Sequence, residues 1–176
     1  MNNFSKKFNF INKNWSASAI DISGDSKNLR YITFEIKESQ EKNIIGYASI
    51  YIININKRSI EDIKKYAERY TDELELILKE SNSFNENIMF LEKIFIKEKY
   101  RGKGIGKAFI GSHLDNISKD ENIKKVYLFP CPIFDNRVHL EKREKIEHLA
   151  VYYKSLGFII QKYINDTDVL MTKFIA

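Results

Sequence analysis

Gly102, Gly104 and Gly106 stand at alternate positions between two strongly apolar stretches, and no other feature of the 176-residue sequence restricts its fold as much. Upstream, Ile88 to Ile96 is interrupted only by Glu92 and Lys93, the pattern of a strand buried on both faces. Downstream, Ile110, Leu114 and Ile117 recur at i, i+4 and i+7, one face of a helix that runs to about Ser118. The chain must therefore leave a strand, turn through glycine and enter a helix. Such a junction aims the unpaired N–H groups of the first helical turn, and the positive end of the helix dipole, at one point where an anion can sit. From Glu92 to Lys107 six basic residues (Lys93, Lys97, Lys99, Arg101, Lys103, Lys107) face two acidic ones, Glu92 and Glu98. That concentration favours a polyanionic ligand more than the net charge of +5 does.

The remaining segments set the architecture. An apolar patch at Phe8 to Ile11 reads as a first strand, and the polar stretch up to Arg30 carries little further pattern. Tyr31 to Lys37 and Ile44 to Ile55 are β-branched and aromatic around a polar turn, an antiparallel hairpin. Ser59, with Asp62 three residues on, opens a helix to about Glu80 whose apolar positions Ile63, Tyr66, Ala67, Tyr70, Leu74, Ile77 and Leu78 keep the 3.6 period. Lys125 to Phe129 is a strand halted by Pro130 and Pro132, and a loop follows to about Leu140. A helix from Glu141 to Leu156 buries Ile146, Leu149, Ala150, Tyr153 and Leu156 and is closed by Gly157. Strands Phe158 to Tyr163 and Val169 to Phe174 finish the chain. This order predicts an α/β protein of mixed α+β type, a mixed sheet with helices on its faces, formed by residues 1–176 as one domain.

Composition narrows the function. With 43% apolar and 30% charged residues the chain reads as globular, and no stretch reaches the roughly 18 apolar residues of a membrane span. No signal-like segment follows the N-terminus, so a cytoplasmic protein without membrane partners is expected. One cysteine, Cys131, precludes an internal disulfide, and His113, His139 and His148 are too scattered for a metal site. A magnesium-nucleotide loop needs Ser or Thr after Gly106-Lys107, where Ala108 stands, and a dinucleotide-binding turn needs a third glycine where Phe109 stands. Against these two phosphate grips coenzyme A is the better candidate, and a glycine-softened turn with solvated lysines is the alternative.

The segment Leu91 to Ala108 resembles the acetyl-CoA motif of the GNAT superfamily of N-acetyltransferases, with Gln/Arg-x-x-Gly-x-Gly/Ala matched at Arg101, Gly104 and Gly106. Tyr153-Lys154-Ser155-Leu156-Gly157-Phe158 resembles the family's second signature, a tyrosine, three residues and Gly-Phe. Together the two span residues 88 to 174, while 1 to 87 match loosely. Seven residues before the tyrosine, where the family often has Asn, this chain has Ile146. The resemblance implies a central, mostly antiparallel twisted sheet flanked by helices, with acetyl-CoA as cofactor. It implies that main-chain groups of Ile94, Phe95 and Ile96 pair with the pantetheine arm. The amides of Arg101, Gly102, Lys103, Gly104, Ile105, Gly106 and Lys107 would hold the diphosphate. Tyr153 would be the general acid for the departing thiolate.

A general base must strip the incoming ammonium before it attacks. Glu92 is the candidate, read as alternating with Ile94 and Ile96 beside the cofactor; an ordered water is the other. The expected activity is acetyl transfer from acetyl-CoA to a primary amine of a small molecule, peptide or protein, by direct attack in a ternary complex. A toxin acetylating aminoacyl-tRNA and a non-catalytic acyl-CoA-binding module are the alternatives. Nucleic acid is not the expected partner, because the basic run is already accounted for by diphosphate. A monomer or homodimer is expected, and no metal.

Overall fold

The structure, a computed structural model, describes residues 10–11, 14–22, 28–55, 61, 71–81, 86–131, 139–165 and 168–175. Its elements are β1 (Phe10–Ile11), β2 (Trp15–Asp21), β3 (Leu29–Glu38), β4 (Ile44–Asn54), α1 (Thr71–Ser81), β5 (Asn87–Ile96), α2 (Ile105–Ala108), α3 (Leu114–Asp120), β6 (Ile123–Leu128), α4 (His139–Lys154), β7 (Ile159–Tyr163) and β8 (Val169–Phe174). The expected start of the first long helix at Ser59, with Ile63, Tyr66, Ala67 and Tyr70, lies outside the described residues, as do Phe8 and the loop 132–138.

The strands form one eight-stranded sheet in the order β1-β2-β3-β4-β5-β6-β8-β7. Every neighbouring pair is antiparallel except β5 and β6, so the mixed, mostly antiparallel sheet expected above is the fold. The parallel pair follows from the crossover through α2 and α3, which returns the chain to the end of the sheet where β5 began. Among the described residues, no helix is long and apolar enough to cross a membrane.

Strand β2 is absent from the sequence reading above. Its residues Trp-Ser-Ala-Ser-Ala-Ile-Asp are mostly small and of weak strand propensity, yet Trp15, Ala17 and Ala19 alternate inward against β3. Pairing with a strong neighbour, rather than local preference, makes this segment a strand.

Alternation along the strands sorts the core to two faces. Ile32, Phe34, Ile36, Met89, Leu91, Val126 and Leu128 pack with Phe109, Leu114 and Ile117 and with Ala150 and Tyr153 of α4. Their alternates Tyr51, Ile53, Ile88, Phe90, Tyr127 and Leu170 pack with Leu74 and Ile77 of α1. The helix after the glycines is not the uniform one that its spacing predicts. Phe109–His113 is a π-turn in which the Leu114 N–H bonds the Phe109 carbonyl five residues back, and Phe34, Phe109 and His113 meet edge to face there at 5.1–5.3 Å.

Candidate active site

Past Ile96 the chain makes a 3₁₀ turn, Glu98–Tyr100, and then passes Gly102 and Gly104 at φ of +73° and +76°. A side chain in that left-handed conformation costs roughly 1–2 kcal/mol, which is why glycine stands there. Gly104 caps α2, and the first helical bond runs from the Ala108 N–H to its carbonyl at 2.9 Å. The N–H groups of Ile105, Gly106 and Lys107 therefore have no acceptor within the helix. A Cβ at Gly102 or Gly104 would meet nothing within 4 Å among the described residues, which leaves the approach to this backbone open there. These features fit a diphosphate. Arg101, Lys103 and Lys107 are exposed around it. Arg101 turns toward the strand, donating from Nε to the Ile96 carbonyl at 2.8 Å, with its guanidinium 5.8 Å from the Phe95 ring centre.

Strands β5 and β6 form a wedge. They are laddered from Asn87 to Leu91 only, and the closed end is pinned where Asn87 Nδ2 donates to the Glu121 carbonyl and Asn54 Nδ2 to Asn87 Oδ1, each at 2.7 Å. Beyond Leu128 come Phe129 and Pro130, and proline has no N–H with which to extend a ladder. Among the described residues, the remainder of β5 has no ladder partner on that side and leaves an open edge. Lys97 donates to the Ile45 carbonyl at 2.9 Å, so by the antiparallel alternation Phe95 turns its main-chain groups to Tyr47 on β4. Ile94 and Ile96 turn theirs to the gap. Of the three strand residues named from the sequence, two thus present main-chain groups to the wedge.

Glu92 is not in phase with Ile94 and Ile96. Opposite it, Ser49 pairs with Lys93 and the next residue, Ile50, pairs with Leu91, so Glu92 is the extra residue of a β-bulge. Before the bulge Met89 and Leu91 face the α4 side, and after it Ile94 and Ile96 do. Strict alternation from Ile94 back to Glu92 would need unbroken pairing, and the bulge instead places Glu92 at the cavity beside Phe90.

That cavity, about 640 Å³, opens at the mouth of the wedge. It brings together Glu92, Tyr153 and Ile94, with Asp72, Glu73 and Leu76 from α1, Phe129, Pro130 and Cys131 after β6, and Asp168 before β8. Glu92 Oε2 is buried and has no hydrogen-bond partner among the described residues. Tyr153 is 8% exposed and packs edge to face on Phe158 at 5.9 Å. Burial above all, with Tyr152 and Cys131 adding to it, raises its hydroxyl well above the ordinary phenol value. The Phe158 N–H reaches back to the Tyr153 carbonyl around Gly157, at φ +89°, which closes α4 and fixes the tyrosine at the helix end. Asp72, Glu73 and Asp168 were not legible as site residues. The first two read as charges on the solvent face of the helix expected from Ser59 to Glu80, and only the fold brings them to the cavity that Glu92 lines.

Residues 5–140 match the acetyltransferase (GNAT) family. A spermine/spermidine N(1)-acetyltransferase of Bacillus subtilis (strain 168) is 33% identical over 51 residues, 29% of this chain and 32% of that protein. The chain thus matches about a third of the length of this curated relative. Among solved structures, one described as a bacterial toxin is 17% identical over 82% of this chain and 68% of its own, with a TM-score of 0.50. The spermidine/spermine N-acetyltransferase SpeG from Vibrio cholerae is 22% identical over 85% of this chain and 67% of its own, with a TM-score of 0.43. The chain belongs to the acetyltransferase (GNAT) family, whose members use acetyl-CoA.

Proposed function

We propose that this chain transfers the acetyl group of acetyl-CoA to a primary amine of a small polycationic molecule, a polyamine, by direct attack in a ternary complex. One observation carries the reading. The cavity at the wedge holds a carboxylate, Glu92, and a phenol, Tyr153, and among the described residues its other charged lining is Asp72, Glu73 and Asp168 against one cation, Lys93. An ammonium chain is attracted to such a lining, and the phosphates of a tRNA are repelled by it.

The diphosphate is assigned to the loop from Arg101 to Lys107, chiefly the N–H groups of Ile105, Gly106 and Lys107. The pantetheine arm is assigned to the open edge of β5 at Ile94 and Ile96. Bound there, acetyl-CoA supplies an acetyl group activated as a thioester. Glu92 takes the proton of the incoming ammonium on the oxygen that no donor among the described residues meets. The Ile94 N–H faces the gap as a donor for carbonyl charge. Tyr153 holds its proton on Oη for the departing sulfur, and the burial that makes the phenol a weaker acid also makes a neighbouring thiolate more basic. The chain's one cysteine, Cys131, fits work in the reducing cytoplasm.

The test is a thiol-release assay with acetyl-CoA and spermidine, spermine, a lysyl peptide and charged tRNA. Polyamines should exceed the peptide in kcat/KM by about tenfold or more, the discrimination expected of one or two unpaired charges. Equal rates for peptide and polyamine would sink the substrate assignment. No thiol release with any amine would sink the enzymatic one.

A further inference from the structure

Helix α4 ends in two adjacent tyrosines that have different surroundings. Tyr153 lines the acceptor cavity. Tyr152 lies a helical step of about 100° away and points elsewhere, with its ring 5.4 Å from that of Tyr153 at 63°. A Cβ built on Gly106 would stand 3.2 Å from the Tyr152 hydroxyl and 3.9 Å from Ile94 Cδ1. The hydroxyl therefore sits where three elements meet: the first turn of α2, the open edge of β5 and the last turn of α4. The core-facing positions of α4 before it, Ile146 and Ala150, are apolar, so neither brings a polar group to this seam.

We propose that Tyr152 is a cofactor-positioning residue, whose hydroxyl donates a hydrogen bond to acetyl-CoA where the diphosphate joins the pantetheine arm beside Gly106. The inference rests on the assignment of the glycine loop to acetyl-CoA and adds to it a residue that neither sequence motif contains. Burial raises the Tyr152 hydroxyl above its ordinary value, so it remains a protonated donor at neutral pH, as an anionic ligand requires. Gly106 then has a second role besides exposing its amide. A side chain there would shift the hydroxyl by a few tenths of an ångström from its place at the seam, since a contact of 3.2 Å is tighter than side chains normally adopt.

Calorimetric titration of acetyl-CoA into the wild type, Tyr152→Phe, Gly106→Ala and the double variant tests this. Tyr152→Phe keeps the ring and should weaken binding about tenfold, the loss expected for one hydrogen bond to a charged acceptor. Gly106→Ala should weaken it comparably, and the double variant should be scarcely worse than either, because both remove the same contact. In steady state, KM for acetyl-CoA should rise more than kcat falls in Tyr152→Phe, the reverse of Tyr153→Phe. Unchanged affinity in Tyr152→Phe, or fully additive losses in the double variant, would overturn the inference while leaving the loop assignment standing. Absence of binding by the wild type would overturn that assignment, and the inference with it.

Discussion

Tyr153 and Glu92 reach one cavity by different routes, and that difference governs what each substitution should do. Tyr153 is held by a helix end, a glycine cap and the Phe158 ring, so removing its hydroxyl disturbs little else. Tyr153→Phe should lower kcat by about 100-fold, within the range for a lost general acid, and leave the dissociation constant of acetyl-CoA nearly as it was. Stopped-flow thiol release beside equilibrium titration reads both, and full turnover would remove Tyr153 from the chemistry. Because burial lifts this phenol above its ordinary value of 10.0, it should not impose an alkaline limb on kcat up to about pH 10. A decline centred near pH 8 would contradict the role. The place of Tyr153 at the end of its helix was legible because its spacing to Gly157-Phe158 is local. The placement of Glu92 was not, because a bulge is decided by the partner strand, and nothing in Leu91-Glu92-Lys93 announces it.

At the scale of elements, β4 and β5 come into close contact at Gly46, which pairs with Ile96. A Cβ there would collide with the Phe95 carbonyl oxygen and come within 2.8 Å of Ile96 Cδ1. Backbone cannot swing aside as a side chain can. Gly46→Ala should therefore cost about 1–3 kcal/mol of stability and weaken acetyl-CoA binding together, read by urea denaturation and titration. Stability equal to wild type would mean that the strands have more room than the structure gives them. The strand, glycine turn and helix around residues 88–118 were readable because each has its own period, whereas β2 was not, since Ser16, Ala17, Ser18 and Ala19 carry no strand preference without β3 beside them. The π-turn at Phe109–His113 was equally silent, as one extra residue per turn hardly disturbs the i, i+4, i+7 pattern.

For the whole molecule, buried phenols tie stability to alkaline pH. Tyr127 is pushed up to about 12, mainly by burial and further by Glu80 and Glu86, and Tyr153 is raised as well. Both hold their protons more tightly folded than unfolded, so their contribution is complete below pH 10 and is lost as pH rises toward 12. The melting temperature should fall across that window, and Tyr127→Phe should flatten the fall; an unaltered slope would show Tyr127 to be accessible. The account as a whole depends on a bare-amide loop beside a wedge of strands that seats acetyl-CoA. Calorimetric titration of acetyl-CoA into the wild type and Gly104→Glu, with Gly104→Ala as the control that carries the same backbone strain without the charge, measures this directly. Saturable one-to-one binding by the wild type and a loss of about 100-fold in Gly104→Glu beyond that in Gly104→Ala is the predicted result. Equal affinity in the Glu and Ala variants, or no binding by the wild type, would contradict it.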